Sequence, residues 1–254
     1  MAFSSGEPLS GTCFLHHQLY GDVALNRAVA MDLEAAPKSL LFPWISHREG
    51  LFESVLAVNN YGEELLEISM TARRGNGETE TVTRTVPARG FLLESAGDLF
   101  QGMGEGDGYS VSVEAGTLSG VWLTYSPRSD SGASPAMGGA VSLDNHGLTL
   151  LYGYLPMLGD LRSVPVLINT GTRTGKATLS LISPEGLPVS GEPLLLEALE
   201  PFRPITLPLD ELFPQISGNY QLLVRSLGEP LAGAAFIFNT KFMEPAIGDC
   251  AILP

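Results

Sequence analysis

The chain has 254 residues and a mass of 27.0 kDa, 44% of it apolar and 17% charged; that composition excludes a disordered chain and leaves room for one large or two small domains. Fourteen basic and 28 acidic residues give a formal charge of −14, a field that repels phosphate and so argues against nucleic acid and anionic membranes as partners. Twenty-nine glycines and 18 prolines imply many turns between short strands.

From the N-terminus, Met1 to Pro8 carries neither the basic stretch nor the apolar core of a leader, and the longest clean apolar run, Leu231 to Phe238, falls far short of the ~18 residues of a membrane helix. The expected location is the cytoplasm, or the cell exterior if the chain is a piece of a larger exported protein. Thr12 to Leu15 reads as a first strand, followed by the small apolar run Ala28 to Met31. Leu66, Ile68, Met70 and Ala72 alternate with polar neighbours, as do Tyr109, Val111 and Val113. Later, Ala177, Leu179 and Leu181 alternate with their neighbours, and so do Tyr220, Leu222 and Val224. This is the period of antiparallel strands with one wet face. Asn76-Gly77 and Glu185-Gly186 stand where hairpins need positive φ. One helical turn is predicted at Ala96 to Gln101 and one at Leu209 to Phe213; no long 3.6-residue periodicity occurs. Many short strands joined by turns predict an all-β protein.

The chain repeats itself. Gly6-Glu7-Pro8-Leu9-Ser10-Gly11 recurs as Gly228-Glu229-Pro230-Leu231-Ala232-Gly233, and more weakly as Gly116-Thr117-Leu118-Ser119-Gly120. From Gly11 to Gly120 is 109 residues, and from Gly120 to Gly233 is 113. Each copy leads into an apolar strand (Thr12 to Leu15, Val121 to Tyr125, Ala234 to Phe238) and then a small apolar run (Ala28 to Met31, Ala140 to Leu143, Cys250 to Leu253). The bodies between these tails occur twice. Val58 to Gly62 matches Ile168 to Gly171, Val86-Pro87-Ala88-Arg89 matches Glu200-Pro201-Phe202-Arg203, and Asp98-Leu99-Phe100 matches Glu211-Leu212-Phe213. The reading is two tandem antiparallel β-sandwich units of jelly-roll or immunoglobulin-like type, residues 38–147 and 148–254. A hairpin arm, residues 1–37, resembles the tail of a repeat and is expected to add its strand to a sheet of the first unit or of a neighbouring subunit.

The chemistry of enzymes is mostly missing from the motifs. Gly171-Thr172-Arg173-Thr174-Gly175-Lys176-Ala177 has three residues between its glycines where a phosphate loop has four, and Ala177 where that loop has Ser or Thr, so it reads as a hairpin loop. His16 and His17 are adjacent and point to opposite faces of a strand, and His47 and His146 lie in loops without metal-ligand spacing. Cys13 and Cys250 read as free thiols in strands, too few for a disulfide framework. Carboxylate pairs such as Glu63-Glu64 are inevitable among 28 acidic residues. Gly104-Glu105-Gly106-Asp107-Gly108 offers too few oxygens for calcium and reads as a turn. Arg89 and Arg203, at matching places after a proline, read as fold residues. No catalytic residue, metal or cofactor is assigned.

The binding candidate is Trp122, Tyr125 and Arg128. Trp122 falls on the face opposite Val121, Leu123 and Tyr125, and its counterparts are Cys13 and Ala235, so the shared core does not need its bulk. It reads as an exposed interface anchor, or as filler between this strand and a neighbouring domain. The chain is expected to be a non-catalytic binding or assembly module whose partner is another protein or a second copy of itself. The alternative is a carbohydrate-binding domain.

The segments Gly153-Tyr154-Leu155-Pro156 and Val166 to Gly171, with Ile45-Ser46-His47, Val55 to Asn59, Val86 to Arg89 and Pro127 to Asp130, resemble the sensory rhodopsin transducer family. The resemblance covers each unit of ~110 residues and implies a compact, oligomeric β-sandwich that acts as the soluble transducer of a membrane receptor. The tandem duplication and the extra arm depart from that family.

Overall fold

The computed structural model describes the strands Thr12–His16 and Val23–Arg27, then residues 38–253 apart from 49, 107, 115, 117, 127–135, 145–146, 190 and 242–243. β1 (Thr12–His16) and β2 (Val23–Arg27) form an antiparallel hairpin of their own. Unit 1 contains β3 (Ser39–Ile45), β4 (Glu53–Asn60), β5 (Leu66–Arg74), β6 (Thr79–Val86), β7 (Phe91–Ser95), β8 (Tyr109–Glu114), β9 (Leu118–Tyr125), β10 (Ala136–Gly139) and β11 (Val141–Ser142). Unit 2 contains β12 (Thr149–Met157), β13 (Leu161–Asn169), β14 (Gly175–Ile182), β15 (Leu194–Leu199), β16 (Pro204–Thr206), β17 (Gly218–Ser226), β18 (Leu231–Asn239), β19 (Glu244–Asp249) and β20 (Ala251–Leu253). The helical turns α1 (Ala96–Leu99) and α2 (Leu209–Leu212) stand where Phe100 and Phe213 end them in the same way, each backbone N–H donating four residues back.

The two units share one plan. In unit 1 a four-stranded sheet, β10-β9-β4-β7, faces a five-stranded sheet, β11-β3-β8-β5-β6. Unit 2 repeats both orders as β19-β18-β13-β16 and β20-β12-β17-β14-β15. The first strand of each unit bulges at the same place, between Phe42 and Ile45 in β3 and between Tyr152 and Leu155 in β12. Just before the bulge, alternation sets an aromatic ring against a bare glycine of the facing sheet. A Cβ on Gly120 would stand 2.6 Å from the Phe42 ring, and one on Gly233 would stand 2.2 Å from Tyr152 Oη. Tyr152 Oη donates to the Val166 carbonyl at 2.7 Å. Both units also keep a buried asparagine. Asn60 Nδ2 donates to the Glu64 carbonyl while its Oδ1 accepts from Gly62 N, and Asn169 does the same with Arg173 and Gly171.

The four larger sheets stack into four layers with three apolar clusters, and Ala234 of unit 2 joins the unit 1 cluster. Phe42, Leu56, Val58, Met70 and Trp122 fill unit 1, and Leu150, Tyr152, Leu167, Leu179 and Leu222 fill unit 2. The third cluster is the junction between units, where Leu41 and half-buried Trp44, Val141 and Leu143 meet Val166, Ile168, Ala232 and Phe236. Polar contacts frame it. Ser110 Oγ donates to the Phe202 carbonyl at 2.8 Å, and the Arg73 guanidinium lies 5.2 Å from the Phe202 ring centroid.

Two readings of the sequence change here. The arm's first strand pairs with β2 and not with a sheet of unit 1; β2 in turn runs within 8 Å of β10, Cα to Cα. Arg89 is equivalent to Phe202, not to Arg203. Both adopt positive φ, 51° and 58°, and the following residues, Gly90 and Arg203, donate to the carbonyls of Pro87 and Glu200. The shared proline misled the alignment by one residue, because the turn is fixed by backbone conformation.

Gly233→Ala tests the shared packing. An alanine in a strand is ordinarily favoured over glycine by roughly 0.5–1 kcal/mol, but here its Cβ would meet Tyr152 Oη at 2.2 Å and the Val166 carbonyl at 2.4 Å. Overpacking should outweigh the gain and cost ~1–3 kcal/mol in chemical denaturation. Gly153→Ala, with nothing within 4 Å, should be neutral or stabilising.

Candidate functional site

Alternation along β4 and β9 decides which side chains are offered to solvent. Ser54, Leu56, Val58 and Asn60 of β4 are buried while Glu53, Val55, Ala57 and Asn59 point outward and are half-buried. On β9, Leu118, Gly120, Trp122 and Thr124 go inward, and Ser119, Val121, Leu123 and Tyr125 go outward. The outward side of this four-stranded sheet is mixed: Val55, Ala57, Val121, Leu123 and the Tyr125 ring stand among Glu53, Asn59 and Ser119, and Asn59 Nδ2 donates to Ser119 Oγ at 3.2 Å. At its edge, on β7, Phe91 and Leu93 are 61% and 55% exposed.

Trp122 is not part of that surface. It is fully buried inside unit 1, edge-on to Phe42 at 6.2 Å and 84°. The bulk has a local cause: its neighbour across the ladder is Gly138, where a Cβ would stand 2.4 Å from the indole. Its Nε1 finds no hydrogen-bond acceptor. Trp122 is thus neither an exposed anchor nor filler between units. Tyr125 does lie on the outward face, where its hydroxyl donates to Glu53 Oε2 at 2.8 Å; that carboxylate holds the phenol proton on and raises its pKa. Arg128 lies outside the described residues. The structure puts Trp122 and Tyr125 on opposite faces, and Phe91 and Leu93 are the exposed residues that sequence reading missed. Their signal was present in Phe91-Leu92-Leu93, but an apolar run on an edge strand does not say which side is covered.

The glycine-threonine loop between β13 and β14 is closed by the protein's own carboxylate. Glu229 Oε2 accepts from Thr172 N at 3.2 Å, and Oε1 accepts from Arg173 Nε at 2.8 Å. The Arg173 bond holds the Glu229 carboxyl below its ordinary pKa, so the loop's donors already serve an internal anion. At the glycine-rich loop before β8, Arg74 Nη2 donates to the Met103 carbonyl at 2.7 Å and to the Gly104 carbonyl at 3.3 Å, putting a cation at the start of the loop. His47 packs against Gly97, and His146 lies outside the described residues. Among the described residues no cluster of three metal-ligating side chains forms, and no helix is long and apolar enough to cross a membrane.

No protein family model and no curated protein sequence matches the chain. Membership in the sensory rhodopsin transducer family, which the sequence resemblance implied, is not supported. The crystal structure of Thermotoga maritima 1070 is similar to part of the chain, at 14% identity and a TM-score of 0.34 over 41% of this chain and 91% of that one. A likeness at that level leaves the functional reading to the residues themselves.

Trp122→Ala should open a cavity in unit 1 and cost ~3–5 kcal/mol of stability. Trp122→Phe keeps most of the ring and removes the unpartnered N–H, so its loss should be well below that. Denaturant midpoints of the two variants give the comparison, and a Trp122→Ala protein as stable as wild type would place the indole elsewhere.

Proposed function

We propose that this chain is a non-catalytic assembly module that binds a protein surface through the outward face of its β10-β9-β4-β7 sheet. The observation that carries this reading is a contrast between equivalent positions. In unit 2, Val166, Ile168, Ala232, Ala234 and Phe236 of the four-stranded sheet are buried against unit 1. Their unit 1 equivalents, Ala57, Asn59, Ser119, Val121 and Leu123, are only half-buried. Beside them Phe91 and Leu93 stand open where unit 2 has buried Pro204 and exposed Thr206. The same architectural surface is an interface in one unit and open in the other.

The energetics favour occupation of this face. Full burial of a Phe or Leu side chain is worth ~1.5–3 kcal/mol relative to leaving it exposed. Phe91 and Leu93, 61% and 55% exposed, have realised less than half of that in the fold and together hold the rest, ~2–3 kcal/mol, for a partner. Large apolar patches of this kind mark interaction surfaces. A sugar would need aromatic platforms free to turn toward it, yet on this face Tyr61 is tied to Ser119 Oγ and Tyr125 to Glu53, and Tyr154 belongs to the other outermost sheet.

Phe91→Glu combined with Leu93→Glu should leave the thermal midpoint within a few degrees of wild type, since both side chains are mostly exposed, and weaken protein association at least tenfold. Association can be followed by sedimentation velocity. Unchanged association by this double variant would remove the assignment of the surface.

A further inference from the structure

We infer that the partner of this face is a second copy of the chain, bound head to tail through the outer side of its β20-β12-β17-β14-β15 sheet. The inference rests on the assembly reading above and names its occupant. The junction inside the chain supplies the template: the outer side of unit 1's five-stranded sheet covers the outer side of unit 2's four-stranded sheet. The chain therefore carries one spare half of the same junction on each outermost layer. Unit 1 leaves a four-stranded face open, and unit 2 leaves a five-stranded face open.

The spare five-stranded face keeps the character of the used one. Bulge and register make Leu151 equivalent to Leu41 and Tyr154 to Trp44. The β8 and β17 ladders likewise make Leu223 equivalent to Ser112 and Gln221 to Ser110. In unit 1, Leu41 is 0%, Ser110 1% and Ser112 5% exposed: Leu41 and Ser110 meet unit 2, and Ser112 accepts from Arg73, whose guanidinium lies against Phe202 of unit 2. In unit 2, Tyr154 is 60% exposed, Leu151 and Leu223 are half-buried and Gln221 is exposed. The uncovered copy is more apolar than the covered one at the 112/223 position, the opposite of what a surface meant for water requires. Joining unlike faces is a heterologous contact, which does not close on itself and extends into a linear array.

One part of the chain must yield. β2 of the arm lies beside β10 as β10 lies beside β19, so the arm holds the place that an incoming copy's β18-β19 hairpin would take. The arm thus competes with docking at the β10 side, while Phe91 and Leu93 on the β7 side stay open.

Four purified proteins test this by sedimentation velocity over ~1 μM to 1 mM: wild type, a chain lacking residues 1–36, Phe91→Glu/Leu93→Glu, and Leu151→Glu/Tyr154→Glu. Circular dichroism first establishes that each is folded. The expected result is a concentration-dependent series of species for wild type, shifted to at least tenfold lower concentration without the arm. Each double variant alone should be monomeric, and their equimolar mixture should form a one-to-one complex that grows no further. If the Phe91/Leu93 variant abolishes association but the Leu151/Tyr154 variant does not, the head-to-tail inference falls and the assembly reading stands. If wild type and the armless chain are both monomeric at 1 mM, or if association ignores both faces, both fall.

Discussion

A β-sheet has two faces, and in unit 2 both faces of the four-stranded sheet are apolar. A single sandwich can bury only one of them. β13 shows the consequence most plainly: Pro165, Val166, Leu167, Ile168 and Asn169 are all buried in succession, which is impossible for a strand with one wet side. Leu167 turns into its own unit and Val166 and Ile168 turn into the junction. The units are therefore not beads on a string. The second face of unit 2's four-stranded sheet is covered inside the chain by unit 1.

Within this constraint the two units reach the same backbone with different fillings. Phe42 on Gly120 and Tyr152 on Gly233 anchor the first strand of each unit to the facing sheet. Unit 1 then adds Trp122 over Gly138, whereas unit 2 has Ala235 beside Gly248. The junction diverged too, since Phe202 receives Arg73 and Ser110 while its equivalent, Arg89, forms an exposed ion pair with Glu63. Interior packing tolerates such exchange when volume and pattern are kept, and an open surface tolerates charge where a covered one selects an aromatic ring.

The all-β class and the positions of both helical turns were legible in alternation and turn residues. These are local signals, each carried by a few adjacent residues. What the sequence hid was sidedness. Trp122 and Val121 alternate whichever face is inside, and the choice was made by Gly138, sixteen residues away on the partner strand. The Arg89 equivalence failed for a related reason: a positive φ leaves no obligatory mark when the residue is not glycine. The exposed pair on β7 could be seen as apolar but not as uncovered, because coverage depends on a neighbouring unit and not on neighbouring residues.

If two-faced sheets bind the units into one stack, the units must unfold together. Differential scanning calorimetry of the dilute full chain reads this directly. The account predicts one transition whose calorimetric and van't Hoff enthalpies agree. Two separable transitions, with one unit melting while the other persists, would show that the junction through Leu41, Val166, Ile168 and Phe236 does not hold the fold together and would contradict the account.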